Sequence, residues 1–385
     1  MISPKHILLS TLVLSCVAAG VSAQASALSG LSGVSGFHNT ASMYTQFIAE
    51  HLQKAEVPGA IVGIWQSGRP VYLQAFGTAN SAEKTAMSVR MNMPIGQLST
   101  AFTVRAVLDL AKADKIQLSA PVSRYVSGVP DGEHMTVADL AQMRSGLVDF
   151  SKQAAYLDAI QKNPEARLLP DQLLHYSFTH PLLFKPGSRF DYSSTNTILL
   201  GLIIEKVTGK PLSRVITEQV LQPNRLNSTT FSTSFADPFL QVRGYARNST
   251  TQNLQPVAWN PSQFWAAGAM TATASDLRDW ARINANLTEY NHILAAYPQS
   301  PASGQTTTSV EYRWGSFVNH GWVGNASYQA GFESIAIYAP KTKDTIVILL
   351  NSEALDKGVP LAASLAQRLS RFISPHAIYQ SDGQP

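Results

Sequence analysis

The stretch that most constrains this chain is Met93 to Thr103, MPIGQLSTAFT. Met93 to Gly96 reads as the end of an extended run. From about Ser99 the apolar positions Phe102, Val107 and Leu110 fall on one helical face, widened by Leu108 and Ala111. A sharp strand-to-helix turn is therefore expected here. Such a turn presents side chains and backbone N–H groups at a helix N-terminus, where a nucleophile or an anion is well served.

Around this turn the chain alternates between two characters. Met43 to Lys54 has helical spacing, with Phe47, Ile48 and Leu52 on one side. Gly59–Trp65 and Val71–Phe76 read as strands joined by Gln66-Ser67-Gly68-Arg69-Pro70, a hairpin. After the turn the pattern is helical. Val137–Met143 stops at Ser145-Gly146, and a helix over about Asn196–Thr208 is stopped by Gly209 and Pro211. Strands return at Tyr312–Val318, Ser334–Tyr338 and Thr345–Leu350, and Leu361–Ile373 closes the chain as an amphipathic helix.

IGQLSTAFTVRAVLDLAKADKIQLSAPVSRYV, from Ile95 onward, resembles the nucleophile helix of the serine β-lactamase and penicillin-binding-protein family. The branch it is most similar to is that of class C β-lactamases, D-aminopeptidases and family VIII esterases. TVADLAQMRSGLVDF, FDYSSTNTILLGLIIEKVTGKPL and WAAGAMTATASDLRDW also resemble family segments, so the likeness spans about residues 42–375. It implies an α/β (α+β) fold of the β-lactamase/transpeptidase type. An antiparallel sheet from both chain ends (about 42–95 and 305–375) would be flanked by helices, with a mostly helical part (about 96–304) inserted and a tail over 376–385.

The resemblance also implies three catalytic motifs around one cleft, and each is altered. Family members carry S-x-x-K at the turn, a serine nucleophile and its lysine base. Gln97 stands at the serine position and Thr100 at the lysine position. A carboxamide is neither nucleophilic nor basic, and a threonine cannot take a proton as a neutral amine does. The second motif, Y-x-N, reads Tyr192-Ser193-Ser194. Its tyrosine is kept, and its asparagine is a serine, too short to donate and accept across the same span. The third, K-T-G or H-x-G, falls on Asn325-Ala326-Ser327 when counted back from Gly331-Phe332-Glu333-Ser334. His320-Gly321-Trp322 lies five residues early and reads as strand or loop.

Two other serines stand as replacement nucleophiles. Ser99 is a fallback, although Phe102 occupies the lysine spacing and a serine at a helix start is usually a cap. A literal S-x-x-K at Ser81-Ala82-Glu83-Lys84 sits in a polar stretch without a helical stripe. The family's oxyanion hole is made of backbone N–H groups, here those of Gln97 and about Tyr328. These donors survive side-chain substitution. The expectation is that the Gln97 carboxamide folds into the hole and plugs it.

The reading is a noncatalytic pseudoenzyme that binds a peptidoglycan-like peptide, another small acyl ligand or a protein partner in the former cleft. The alternative is an esterase, β-lactamase or D-aminopeptidase type hydrolase using Ser99. No cofactor or metal site is expected: the nine histidines show no H-E-x-x-H spacing, and His175 and His180 do not share a helix face. Only 14% of residues are charged, the net charge is +4, and no Lys/Arg cluster points to nucleic acid.

Export is expected from the N-terminus. Lys5 and His6 precede the apolar run Ile7–Val21, and Val21-Ser22-Ala23 fits small-residue cleavage, giving a signal over 1–23 and a flexible lead-in over 24–41. The run is too short for a stable membrane span. The competing reading is a lipobox ending in Cys16, the single cysteine, which would make a periplasmic or secreted protein lipid-anchored.

Overall fold

The computed structural model describes residues 35–232, 242–248, 251–297, 300–301 and 310–381, with side chains from residue 40 onward. The expected signal, Cys16 and most of the lead-in lie outside these residues. The lead-in's last part is not a loop: the first helix, α1, runs Ser35–Lys54 and so begins well before Met43.

One nine-stranded antiparallel sheet organises the fold. Its strands are β1 (Gly59–Gln66), β2 (Arg69–Asn80), β3 (Thr85–Ala86), β4 (Ser300–Pro301), β5 (Val310–Arg313), β6 (Ser316–Asn319), β7 (Trp322–Gln329), β8 (Phe332–Ala339) and β9 (Asp344–Leu350). Their order is β3-β2-β1-β9-β8-β7-β6-β5-β4. The central pair joins the two ends of the chain, with Ala60 opposite Leu350 and Trp65 opposite Thr345. Both faces of this pair are covered, so GAIVGIW and DTIVILL read as continuous apolar runs rather than alternating ones.

The expected single strand Tyr312–Val318 is instead a tight hairpin, β5 to β6. It turns at Trp314-Gly315, which have φ of 44° and 94°. Two successive positive φ values match the twist of a two-residue hairpin loop. A Cβ on Gly315 would lie 3.1 Å from Ala101 Cα, so the turn rests directly on the nucleophile helix.

Each face of the sheet has its own core. On one side α1 and α5 (Leu361–Ile373) bury Ile48, Leu361, Leu365 and Leu369 against Ile335, Ile337 and Ile348. The spacing of four in Leu361, Leu365 and Leu369 puts them on one helical stripe. Buried there too is Glu333 of β8, wholly inaccessible, which accepts hydrogen bonds from the backbone N–H groups of Ala354 (2.6 Å) and Ala362 (2.7 Å). Burial pushes its carboxyl up to about 8, against the downward pull of those donors at the start of α5.

The other face carries the helical part. Its centre is α2 (Ser99–Lys112), almost entirely buried, against α3 (Ser194–Thr208), buried without a break from Ser194 to Gly201. α3 ends on Gly209, whose φ of 65° is the left-handed conformation that closes helices. α4 (Ala274–Asn284) seals the junction, with Trp280 stacked on Phe102 at 3.8 Å between ring centres. Among the described residues no helix is long and apolar enough to cross a membrane.

Candidate functional site

The expected turn is present. Met93–Pro94 forms a short strand against Met270–Ala272, Gly96–Leu98 makes one 3₁₀ turn, and α2 starts at Ser99. Three bonds fix it: Ile95 N–H donates to Met270 C=O (3.0 Å), Leu98 N–H to Ile95 C=O (3.2 Å), and Ser334 Oγ to Ile95 C=O (2.9 Å). Gly96 has φ of 51°, and a Cβ there would come within 2.1 Å of Ser327 Oγ. Both the conformation and the close approach of β7 require glycine.

β7 forms the facing wall. β6 pairs with it only from Trp322 to Gly324, so from Asn325 to Gln329 its outer edge is free of β6 and faces the Gly96–Leu98 turn. Here the expected plug is corrected. The Gln97 backbone N–H donates to Ser327 Oγ at 3.0 Å, so the serine on the glycine position of the third motif caps the amide, and the Gln97 carboxamide does not. Gln97 itself is half-buried. Tyr328 is 41% exposed, and its phenol is pushed up to about 12 by burial and then by Glu353 and Glu333.

Asn325 turns to structure. Its Nδ2 donates to Gly315 C=O (2.8 Å) and to Ser316 Oγ (3.4 Å), and Asn284 Nδ2 donates to the same hydroxyl (2.6 Å). The third motif thus ties β7 to the β5–β6 turn in place of offering a cation.

The base position is a hydroxyl cluster. Thr100 Oγ1 lies 3.3 Å from Tyr192 Oη and 3.4 Å from Thr197 Oγ1, all three buried. Burial raises the Tyr192 pKa well above the usual phenol value, and hydrogen bonds from Thr100 and Ser194 only partly offset it. Its ring packs with Tyr312 and Phe317 at 6.4 and 6.3 Å. Tyr192 is therefore a neutral packed aromatic. Ser194 is buried as the first residue of α3.

The fallback nucleophile does not fit. Ser99 is fully buried, donates Oγ–H to Gly96 C=O (2.7 Å) and accepts from Met270 N–H (3.2 Å), a helix-start role. Ser81–Lys84 is an exposed turn after β2, where Ser81 N–H donates to Tyr245 Oη (2.7 Å). His320-Gly321 is the turn into β7.

The structure thus brings Gln97, Thr100, Tyr192, Ser194, Asn325 and Ser327 around the Gly96–Leu98 turn and the free edge of β7. Three further residues belong with them. Thr197 sits one helical turn beyond Ser194, so the 3.6 period could have found it. Gln329 follows Ser327 by two on the same strand face and packs against Gly268, where a Cβ would lie 2.8 Å from its Nε2. Ser334 holds the turn from β8, and nothing in its local sequence marks that role. None of these residues is charged, and among the described residues no group of His, Cys, Asp or Glu is placed to hold a metal ion.

A strand-to-helix turn packed against β7 of an antiparallel sheet with helices on both faces is the arrangement that the family resemblance leads one to expect. The chain belongs to the Beta-lactamase family, whose model matches residues 45–369. It is similar to Protein flp of Staphylococcus aureus (strain MW2), 28% identical over 349 residues covering 87% of this chain and 67% of that protein. Among solved structures it resembles a D-stereospecific amidohydrolase from Streptomyces sp. (TM-score 0.69, 23% identity, 82% of this chain and 96% of the other). It also resembles the octameric penicillin-binding protein homologue from Pyrococcus abyssi (TM-score 0.71, 23% identity, 86% and 77%). At such identities the structural likeness speaks for the fold.

Proposed function

We propose that this protein is an exported, noncatalytic member of its family that binds a neutral peptide, of the peptidoglycan type, along the former active-site cleft. The observation that carries the reading is the contact between Ser327 Oγ and the Gln97 backbone N–H at 3.0 Å. It closes the site where a tetrahedral oxyanion would be stabilised, beside a nucleophile position that holds a carboxamide. The side of β7 that β6 leaves unpaired beyond Gly324 faces the cleft and supports the reading of an extended ligand there. The absence of charge among the former catalytic positions favours an amide over a carboxylate at that point. Export rests on the Lys5–Ala23 pattern.

The test is exposure to a labelled penicillin and to an activated acyl ester, read by intact mass. No covalent adduct is expected. An adduct that Ser99→Ala abolishes would establish the hydrolase reading instead. Stabilisation by a peptide ending in D-alanine amide then separates a binding cleft from a filled one, since a ligand at a hundred times its Kd adds about 2.7 kcal/mol. The double variant Gln97→Ser/Thr100→Lys is expected to remain inactive on a chromogenic lactam, because Ser194, Asn325 and Ser327 are unchanged. Measurable turnover would contradict that.

A further inference from the structure

A cavity of about 440 Å³ opens on the helical side of the sheet, between the end of α4 and strands β5 to β7. Leu287, Leu294, Val318 and Val323 give it apolar surface. Asn284, Asn286 and Asn291 bring three carboxamides, and Trp314 of the β5–β6 turn forms part of the wall. Pockets of this size take small molecules when an apolar lining carries a few placed polar groups.

Two of those polar groups are nine-tenths buried and incompletely used. Asn284 is 6% exposed; its Nδ2 donates to Ser316 Oγ (2.6 Å), and its Oδ1 accepts nothing among the described residues. Trp314 is 4% exposed, and its indole N–H likewise donates to nothing among the described residues. The chain holds the two close together, because Trp314 stands two positions before the serine that Asn284 binds. Asn291, exposed, has a carboxamide with no partner among the described residues. Charge is absent from the demand: no acidic side chain appears in the described lining, and Arg313 is already bonded to Glu311 through Nε (2.9 Å) and Nη2 (2.6 Å). The cavity also takes in the C-terminal end of α4, whose last carbonyls are acceptors and disfavour an anion. An open indole donor beside an open amide acceptor suits hydroxyl groups, which give and take a hydrogen bond at once.

We propose that this cavity is a binding site for a neutral sugar, an N-acetylhexosamine unit, its hydroxyls on Asn284 Oδ1 and the Trp314 indole and its acetamido group among Asn286, Asn291 and the leucines. The site adjoins the former third motif through a shared hydroxyl: Ser316 Oγ accepts from Asn284 and also from Asn325 Nδ2 (3.4 Å). Neither the acylation test nor the peptide test uses this cavity, so the two readings fail separately.

The experiment titrates the full chain with N-acetylglucosamine and its β-1,4-linked dimer, read by calorimetry and by the indole N–H resonance of Trp314, assigned through Trp314→Phe. Glucosamine and glucuronate, the same ring with a charge, are the controls. N-acetylglucosamine is expected to bind with a Kd of about a millimolar or below and to move that resonance, with each charged control at least about tenfold weaker. Two variants at exposed lining positions leave the packed interior alone. Asn291→Ala should weaken the sugar about fivefold, the scale of one hydrogen bond, and Ala295→Trp, which fills the cavity, should abolish binding. Ser327→Gly should leave it unchanged. The proposal is overturned if neither sugar binds, if a charged control binds as well, if the Trp314 resonance stays still, or if Ala295→Trp binds like the wild type.

Discussion

The two faces of the sheet differ in the polar groups they bury beside the strands, although both hold ionisable side chains, Glu333 on one and Arg105 and Asp149 on the other. The face under α1 and α5 keeps an ionisable group in its interior, Glu333, held by two backbone donors. The face toward α2 and α3 is where the family resemblance expects a lysine and a serine, and it holds uncharged Thr100, Tyr192, Thr197 and Ser327. A buried charge without a partner costs desolvation energy, and hydroxyl groups can satisfy one another at far smaller cost. Glu333, held largely protonated below about pH 8 by burial, still accepts from the Ala362 N–H at the start of α5, which gives it a structural role.

This contrast can be broken most directly in the packing it rests on. Phe102→Ala removes the ring stacked on Trp280 under the nucleophile turn and should cost about 3–5 kcal/mol in chemical denaturation. A loss below about 1 kcal/mol would mean that α2 is not the support of the site. The second effect separates the faces by pH. The folded pKa of Glu333 is raised from 4.5 to about 8, so the folded state binds the proton more tightly than the unfolded chain does. Stability is therefore fully present below about pH 4.5 and lost as pH rises toward 8, by up to a few kcal/mol at about 1.4 kcal/mol per unit. Glu333→Gln should flatten this dependence between pH 5 and 8, while changes at Thr100 or Ser327 should leave its slope intact. Equal slopes for wild type and Glu333→Gln would assign the effect elsewhere.

Smaller effects sharpen the site face. Ser327→Gly removes the acceptor from the Gln97 amide and should cost about 1 kcal/mol in thermal denaturation. The same variant should tighten binding of a peptide ending in D-alanine amide, because its carbonyl can then reach that amide. Weaker binding would show that the hydroxyl assists the ligand instead. Thr100→Val keeps the shape and loses two long contacts of 3.3 and 3.4 Å, so a change of only about 0.5 kcal/mol is expected by the same measurement.

Much of this architecture is legible in the chain itself. The strand-to-helix turn at Gly96, the helix stopped at Gly209 and the closing helix Leu361–Ile373 follow from apolar period and glycine placement. The antiparallel sheet with helices on both faces follows from the family likeness. What escaped was set by contacts remote in sequence. Tyr312–Val318 looks like one strand because Tyr312, Trp314, Phe317 and Val318 are strand-favouring residues spread over both β5 and β6, and only the packing of Gly315 on Ala101 reveals the bend. The occupant of the Gln97 amide could not be read from Gln97, because the competing hydroxyl arrives from Ser327, 230 positions later. Ser99 looked like a spare nucleophile in a string of letters and is spent as a brace between Gly96 and Met270.

The pairing of β1 with β9 has a consequence for assembly. Ala60 finds its neighbour at Leu350, so the middle of the sheet cannot exist until the chain has been synthesised past that residue. Closing so distant a contact is slow relative to helix formation. A break anywhere near residue 340 would therefore remove the keystone of the sheet rather than trim its margin, leaving β1 and β2 as a hairpin with nothing to lean on.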